Sequence, residues 1–92
     1  MRVITIDGIT LVQTSKGMPE QYDAFRGPTG FPEQVGYLRL RYGHFRVDFP
    51  DCGGKTIFEG APKGYGEFYM DERMKWLRRA VREIREELGE YV

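Results

Sequence analysis

Between Gln34 and Phe49 the chain alternates with a period of two. Leu38, Leu40, Phe45, Val47 and Phe49 fall on one side, and Tyr37, Arg39, Arg41, His44, Arg46 and Asp48 on the other. Successive side chains of a strand point to opposite faces, so the pattern predicts a β-hairpin with one core wall and one basic, aromatic, solvent-facing wall. The turn is expected at Tyr42-Gly43, where a bulge would spare Tyr42 a positive φ that Gly43 tolerates.

The flanking segments extend the same reading. Arg2–Ile6 and Ile9–Gln13 are β-rich runs around Asp7-Gly8, a pair suited to a two-residue hairpin turn. Apolar residues occur on both faces of this hairpin: Val3 and Thr5 group with Ile9 and Leu11, and Ile4 and Ile6 with Val12. Tyr22–Phe25 and Lys55–Glu59 predict further short strands. Thr14–Pro19, Arg26–Pro32, Pro50–Gly54 and Gly60–Gly66 are turns or loops by their Gly, Pro and Ser content, and Glu67–Met70 leads out of the last of them. From Asp71 to about Leu88, Met74, Leu77, Val81, Ile84, Leu88 and Tyr91 recur at intervals of three and four, which predicts one amphipathic helix. Asp71 is the expected N-cap, Glu72 adds charge suited to the dipole, and Gly89 is the expected C-cap. The seam needs a partner, and the apolar wall of the sheet supplies one. The expected fold class is α+β: an antiparallel β-sheet of about 4–6 strands in consecutive hairpins (residues 2–69), packed on one face by a single C-terminal α-helix (residues 71–88), in one domain over residues 1–92.

Composition narrows the function classes. The 92 residues are 40% hydrophobic and 30% charged, as in a globular domain. Fourteen Lys+Arg balance fourteen Asp+Glu, so attraction to nucleic acid or membrane has to be local. Ten of the cations are Arg, which fits anion or interface recognition but also biased genomic composition. One cysteine, Cys52, allows no internal disulfide and no thiolate zinc site, which fits a reducing, cytoplasmic setting. The start, MRVITIDG, lacks the apolar core and cleavage site of a signal peptide, and no apolar run approaches a membrane span.

No catalytic set can be assembled. His44 and Cys52 sit at opposite ends of one strand, roughly 25 Å apart if extended, too far for a nucleophile–base pair. Asp48, Asp51 and Glu59 are candidate acids without distinctive spacing. No cofactor and no metal is expected. Gly53-Gly54-Lys55 and Lys63-Gly64-Tyr65-Gly66 could cradle an anion on backbone N–H groups, or be plain hairpin turns. The wall of Tyr37, Arg39, Arg41, His44 and Arg46 resembles the basic-aromatic faces that take single strands or nucleotides by stacking and phosphate contacts; it could also be a solvated face. Along the helix, bases (Lys75, Arg78, Arg79, Arg82, Arg85) precede acids (Glu83, Glu86, Glu87, Glu90), against the macrodipole. This layout, with Trp76 beside the seam, could form a self-complementary homodimer interface through Trp76, Arg79 and Arg82. Alternatively, Trp76 covers the sheet edge.

The runs Pro19–Asp23 (PEQYD), Val35–Gly43 (VGYLRLRYG), Gly53-Gly54 and Gly64–Phe68 (GYGEF), followed by a C-terminal helix, resemble the order in a set of small bacterial and phage-borne proteins. The resemblance covers about residues 18–88. It carries no activity and assigns no catalytic residue; it implies an accessory or anti-defence role.

These readings lead to the expectation of a small, non-enzymatic, dimeric, cytoplasmic binding protein. It would occupy a partner protein or sequester a small anionic ligand through Tyr37, Arg39, Arg41, His44, Arg46, Lys55, Lys63 and Tyr65. The alternatives are a single-stranded nucleic-acid-binding module using the same face and, more remotely, a small hydrolase working through Asp48 and Asp51.

Overall fold

A computed structural model describes residues 1–28 and 30–90. Tyr91, the last residue of the expected helix seam, lies outside the described residues. The strands are β1 (Val3–Ile6), β2 (Ile9–Gln13), β3 (Glu20–Arg26), β4 (Glu33–Arg41), β5 (His44–Phe49) and β6 (Lys55–Gly60). They form one six-stranded sheet in consecutive order, every neighbour antiparallel. The helix α1 (Arg73–Glu87) lies across one face, giving the α+β architecture expected from the pattern.

Turn geometry sets the parity of each hairpin. Asp7 and Gly8 have φ of 48° and 81°, so the first turn has only two residues and Ile6 pairs with Ile9. Ile4, Ile6, Ile9 and Leu11 therefore share the core face, and Val3, Thr5, Thr10 and Val12 the other. This corrects the expected grouping of Val3 and Thr5 with Ile9 and Leu11: a two-residue turn keeps the residues that flank it on one side. The central turn behaves alike. Tyr42 accepts φ 54° beside Gly43 at 71°, and Arg41 pairs directly with His44, so no bulge is inserted. The register shifts fall instead at Ala24/Phe25 and at Val47/Asp48.

Tyr22, Leu38, Leu40, Phe45 and Val47 face Leu77, Ala80, Val81 and Ile84 of α1, all buried. Trp76 lies edge-on to Phe45 at 6.0 Å, with Phe58 at 6.2 Å. Two glycines allow the helix this close: a Cβ on Gly36 would stand 2.6 Å from Ile84 Cδ1, and one on Gly60 2.5 Å from Trp76 Cζ3. The helix ends as expected at a left-handed glycine. Gly89, at φ 79°, donates to the Glu86 carbonyl, and Glu90 N–H reaches the Arg85 carbonyl, the paired closure of a Schellman end. Its start differs from expectation. Glu72, not Asp71, occupies the N-cap, and it makes no side-chain bond to the helix N–H groups. The Tyr69 carbonyl instead accepts from Glu72 N–H and Arg73 N–H, while the Glu72 carboxylate turns to another task. Among the described residues no helix is long and apolar enough to cross a membrane.

Gly36→Ala is expected to lower stability by about 1–3 kcal/mol through overpacking against Ile84, whereas Gly30→Ala, with open space around the added Cβ, leaves it unchanged. Chemical denaturation of the two variants checks this; equal midpoints would refute the close helix–sheet approach.

Candidate functional site

Among the described residues three carboxylates are buried: Glu20, Asp48 and Glu72, at 1%, 2% and 6% exposure. Each is satisfied internally, as buried charge requires. Glu20, at the core-facing start of β3, accepts from Arg73 Nε at 2.8 Å, Arg73 Nη2 at 3.1 Å, Phe68 N–H at 3.0 Å and the Tyr22 hydroxyl. Burial raises its pKa, but the hydrogen bonds from Arg73, Tyr22 and Phe68 outweigh that and hold it below the ordinary carboxylate range. Burial and the same carboxylate push the Tyr22 phenol up.

Glu72 accepts from Lys63 N–H and Gly64 N–H at 2.8 Å each, from Tyr69 N–H at 3.0 Å and from Trp76 Nε1 at 3.2 Å. Burial opposes its ionisation, yet these donors, the backbone N–H of Tyr69 foremost, keep its pKa low. Asp48 accepts from Gly53 N–H at 3.1 Å and the Thr56 hydroxyl at 2.9 Å, with Arg46 Nε 3.2 Å away but off the hydrogen-bonding direction.

Both glycine turns therefore cradle an anion that belongs to the protein. Gly53 holds Asp48, and Lys63-Gly64 holds Glu72, so neither loop is free to take a phosphate on these N–H groups. The charged ends of their lysines are also engaged, Lys55 with Glu87 at 2.8 Å and Lys63 with Asp71 at 3.4 Å. Lys55 and Lys63 thus do not join a site with the sheet face.

The helix-free face of β4 and β5 is different. The register sets Arg39 directly opposite Arg46, Arg41 opposite His44, and Tyr37 opposite Asp48. Tyr37 departs from expectation: it is 8% exposed, its hydroxyl donates to Gln21 Oε1 at 3.1 Å, and burial raises its pKa, so it belongs to the sheet rather than to a wet wall. Cys52 lies beside it, at the end of β5 remote from His44. His44 Nε2 meets Glu59 at 2.8 Å. Among the described residues, no carboxylate lies within 4.0 Å of Arg39 or Arg41.

Arg39, Arg41, Tyr42, His44 and Arg46 line a cavity of about 370 Å³. A second, of about 380 Å³, shares Arg39, Arg41 and Tyr42 and adds Met18, Pro19, Gln21, Tyr65 and Gly66. The two make one groove: a guanidinium floor and a lip where Tyr42 and Tyr65 meet edge to face at 5.8 Å. Arg41 lies 4.9 Å above the Tyr42 ring. Gly43 N–H donates to the Tyr65 carbonyl at 2.6 Å, tying the loop to the hairpin tip. No group of three or more His, Cys, Asp or Glu among the described residues is placed to hold a metal.

Compared with known proteins, the chain matches no family model, no curated protein and no solved structure.

The structure gathers Arg39, Arg41, His44, Arg46 and Tyr65 of the expected residues, and it adds Tyr42 and Met18. The signal for Tyr42 is its place in a two-residue turn, where a bulky residue at positive φ is uncommon. The three proposed interface residues lie elsewhere. Trp76 is half-buried over Gly60, and Arg79 and Arg82 pair with Glu83 and Glu86 at 2.7 and 3.4 Å within the same helix.

Glu20 and Glu72 are held below the ordinary glutamate value of 4.5 in the folded state. A depressed folded pKa contributes stability above the unfolded value and loses it as pH falls through the folded one. The melting temperature is therefore expected to drop as pH is lowered from 4.5. Glu20→Gln, which leaves Arg73 without its partner, should cost about 3–5 kcal/mol at neutral pH and flatten the acid limb. A variant with unchanged stability and an unchanged acid slope would contradict this assignment.

Proposed function

We propose that the protein is a non-enzymatic binding module that captures a phosphorylated ligand carrying a planar ring, the chemistry of a nucleotide, in the β4–β5 groove. The single observation that carries this reading is the pair of guanidinium groups, Arg39 and Arg41, that no carboxylate among the described residues neutralises on the floor of a concave site. Like charges directly opposite each other weaken a sheet, so the Arg39–Arg46 register is unfavourable for the empty fold and favourable once an anion sits between them. Guanidinium forks suit phosphate oxygens. Tyr42 and Tyr65, 68% and 66% exposed, offer ring faces to a base. A cavity of about 380 Å³ lies in the range of small-ligand sites.

Sequestration rather than turnover is supported by the acids themselves. Asp48 is consumed by Gly53, Thr56 and Arg46, and Glu59 by His44. A second reading has one observation in its favour: Met18, Tyr42 and Tyr65 are exposed together at the rim, a composition that also suits an acidic partner protein.

Calorimetric titration with nucleoside 5′-monophosphates, with the uncharged nucleosides as controls, tests the proposal. Wild type is expected to bind the phosphates, and Arg39→Glu with Arg41→Glu to bind at least tenfold more weakly. The melting temperature of the empty variant should hold or rise, because the carboxylate introduced opposite Arg46 replaces a like-charge pair with an opposite-charge one. Equal binding by wild type and variant would exclude this face. Binding to neither, with retention of an acidic protein, would transfer support to the second reading.

A further inference from the structure

Behind the sheet edge lies a second cationic groove. Lys75, Arg78, Arg79 and Arg82 of α1, with Phe58 and Trp76, line a cavity of about 520 Å³ against β6, closed by Glu59 and Gly60. Its chemistry repeats that of the first groove. Arg79 lies 4.5 Å over the Phe58 ring and Lys75 Nζ 5.4 Å over the Trp76 ring, so cations and aromatic faces alternate. Among the described residues, no carboxylate lies within 4.0 Å of Lys75 or Arg78.

Two of these bases pair along the helix, Arg79 with Glu83 and Arg82 with Glu86, but the four also crowd one another. Lys75 lies three and four positions before Arg78 and Arg79, and Arg82 three and four positions after Arg79 and Arg78. All four are like-charge neighbours, which destabilise a helix. Lys75, in the first turn of α1, also opposes the dipole.

The two grooves are separated only by β6, the edge strand of the sheet. They meet at one contact: Glu59 lines the helix groove, and its carboxylate binds His44 of the sheet groove at 2.8 Å. Acids follow these bases along the helix. Glu83 and Glu86 pair with Arg79 and Arg82, and Glu87 pairs with Lys55 at the start of β6. Lys75 and Arg78 on one side of β6, and Arg39 and Arg41 on the other, are the groove bases with no carboxylate within 4.0 Å among the described residues.

We propose that the two grooves form one track for a single-stranded polynucleotide, which enters over Arg39 and Arg41 and crosses the β6 edge to reach Lys75, Arg78 and Trp76. This rests on the nucleotide reading of the sheet groove and deepens it. A strand has a phosphate for each cation cluster and a base for each aromatic face, whereas a lone nucleotide fills only one groove.

Trp76 is the sole tryptophan, so its fluorescence reports the helix groove alone. The probes are oligothymidylates of four and twelve residues, titrated at two or more salt concentrations. The twelve-mer is expected to bind at least tenfold tighter than the four-mer and to change Trp76 emission. Lys75→Glu with Arg78→Glu should remove that advantage, the emission change and part of the salt dependence, with the log–log slope falling by about 0.7 for each lost phosphate contact. Four-mer binding should persist. Acids in the first half of a helix favour the dipole, so this variant is expected to fold. Four-mer and twelve-mer binding alike, with Trp76 silent, would overturn the track while leaving the sheet groove as a nucleotide site. Binding of neither oligonucleotide nor monophosphate would remove the underlying reading and the track together.

Discussion

Buried carboxylates answered by backbone N–H groups tie the loops and the helix of this protein to its sheet. Glu20 joins β3 to the loop at Phe68 and to the helix through Arg73. Glu72 closes the loop at Lys63-Gly64 and fixes Trp76 by its indole N–H. Asp48 does the same for the β5–β6 turn. An unsatisfied carboxylate in these positions would be costly, so the glycine loops have to keep their N–H groups turned inward. One physical demand thus sets the start of α1, the path of the loop after β6 and the position of Tyr65.

That demand also sorts the charges. Lys63 and Arg73 are spent on internal or neighbouring acids. What remains on the helix-free face is a sheet register that opposes Arg39 to Arg46, with Arg41 beside them, and a lip of two tyrosines held at the hairpin tip. Around the edge of β6, the helix presents a further set of bases, of which Arg79 and Arg82 pair with Glu83 and Glu86 while Lys75 and Arg78 meet no carboxylate within 4.0 Å among the described residues. Of the two, the Arg39–Arg46 register sets like charges opposite each other, which weakens a sheet.

The strands and the helix are legible in the sequence because their apolar periods are clean: Leu38 to Phe49 at two, Met74 to Leu88 at three and four. The faces of the first hairpin are misread because Asp7-Gly8 preserves parity across the turn, a point of turn geometry that a list of apolar positions does not carry. The helix start is misread because Glu72 looks like a favourable charge at the dipole end, while its partners Lys63 and Gly64 are nine and eight residues away and meet it only through the tertiary fold. Three-dimensional placement likewise decides the glycine loops, whose composition alone fits an external anion as well as an internal one. The basic face is legible from alternation, but Tyr37 leaves it, because its hydroxyl finds Gln21 on β3, a contact no spacing predicts.

The central claim is that internal carboxylates already fill the glycine cradles, so that an added anion goes to the arginine groove. Amide chemical-shift mapping during titration with a nucleoside monophosphate measures this directly. The account predicts shifts at Arg39, Arg41, Tyr42 and Tyr65, and silence at Gly53, Lys63 and Gly64. Shifts concentrated on those three amides, with the β4–β5 groove unmoved, would contradict it.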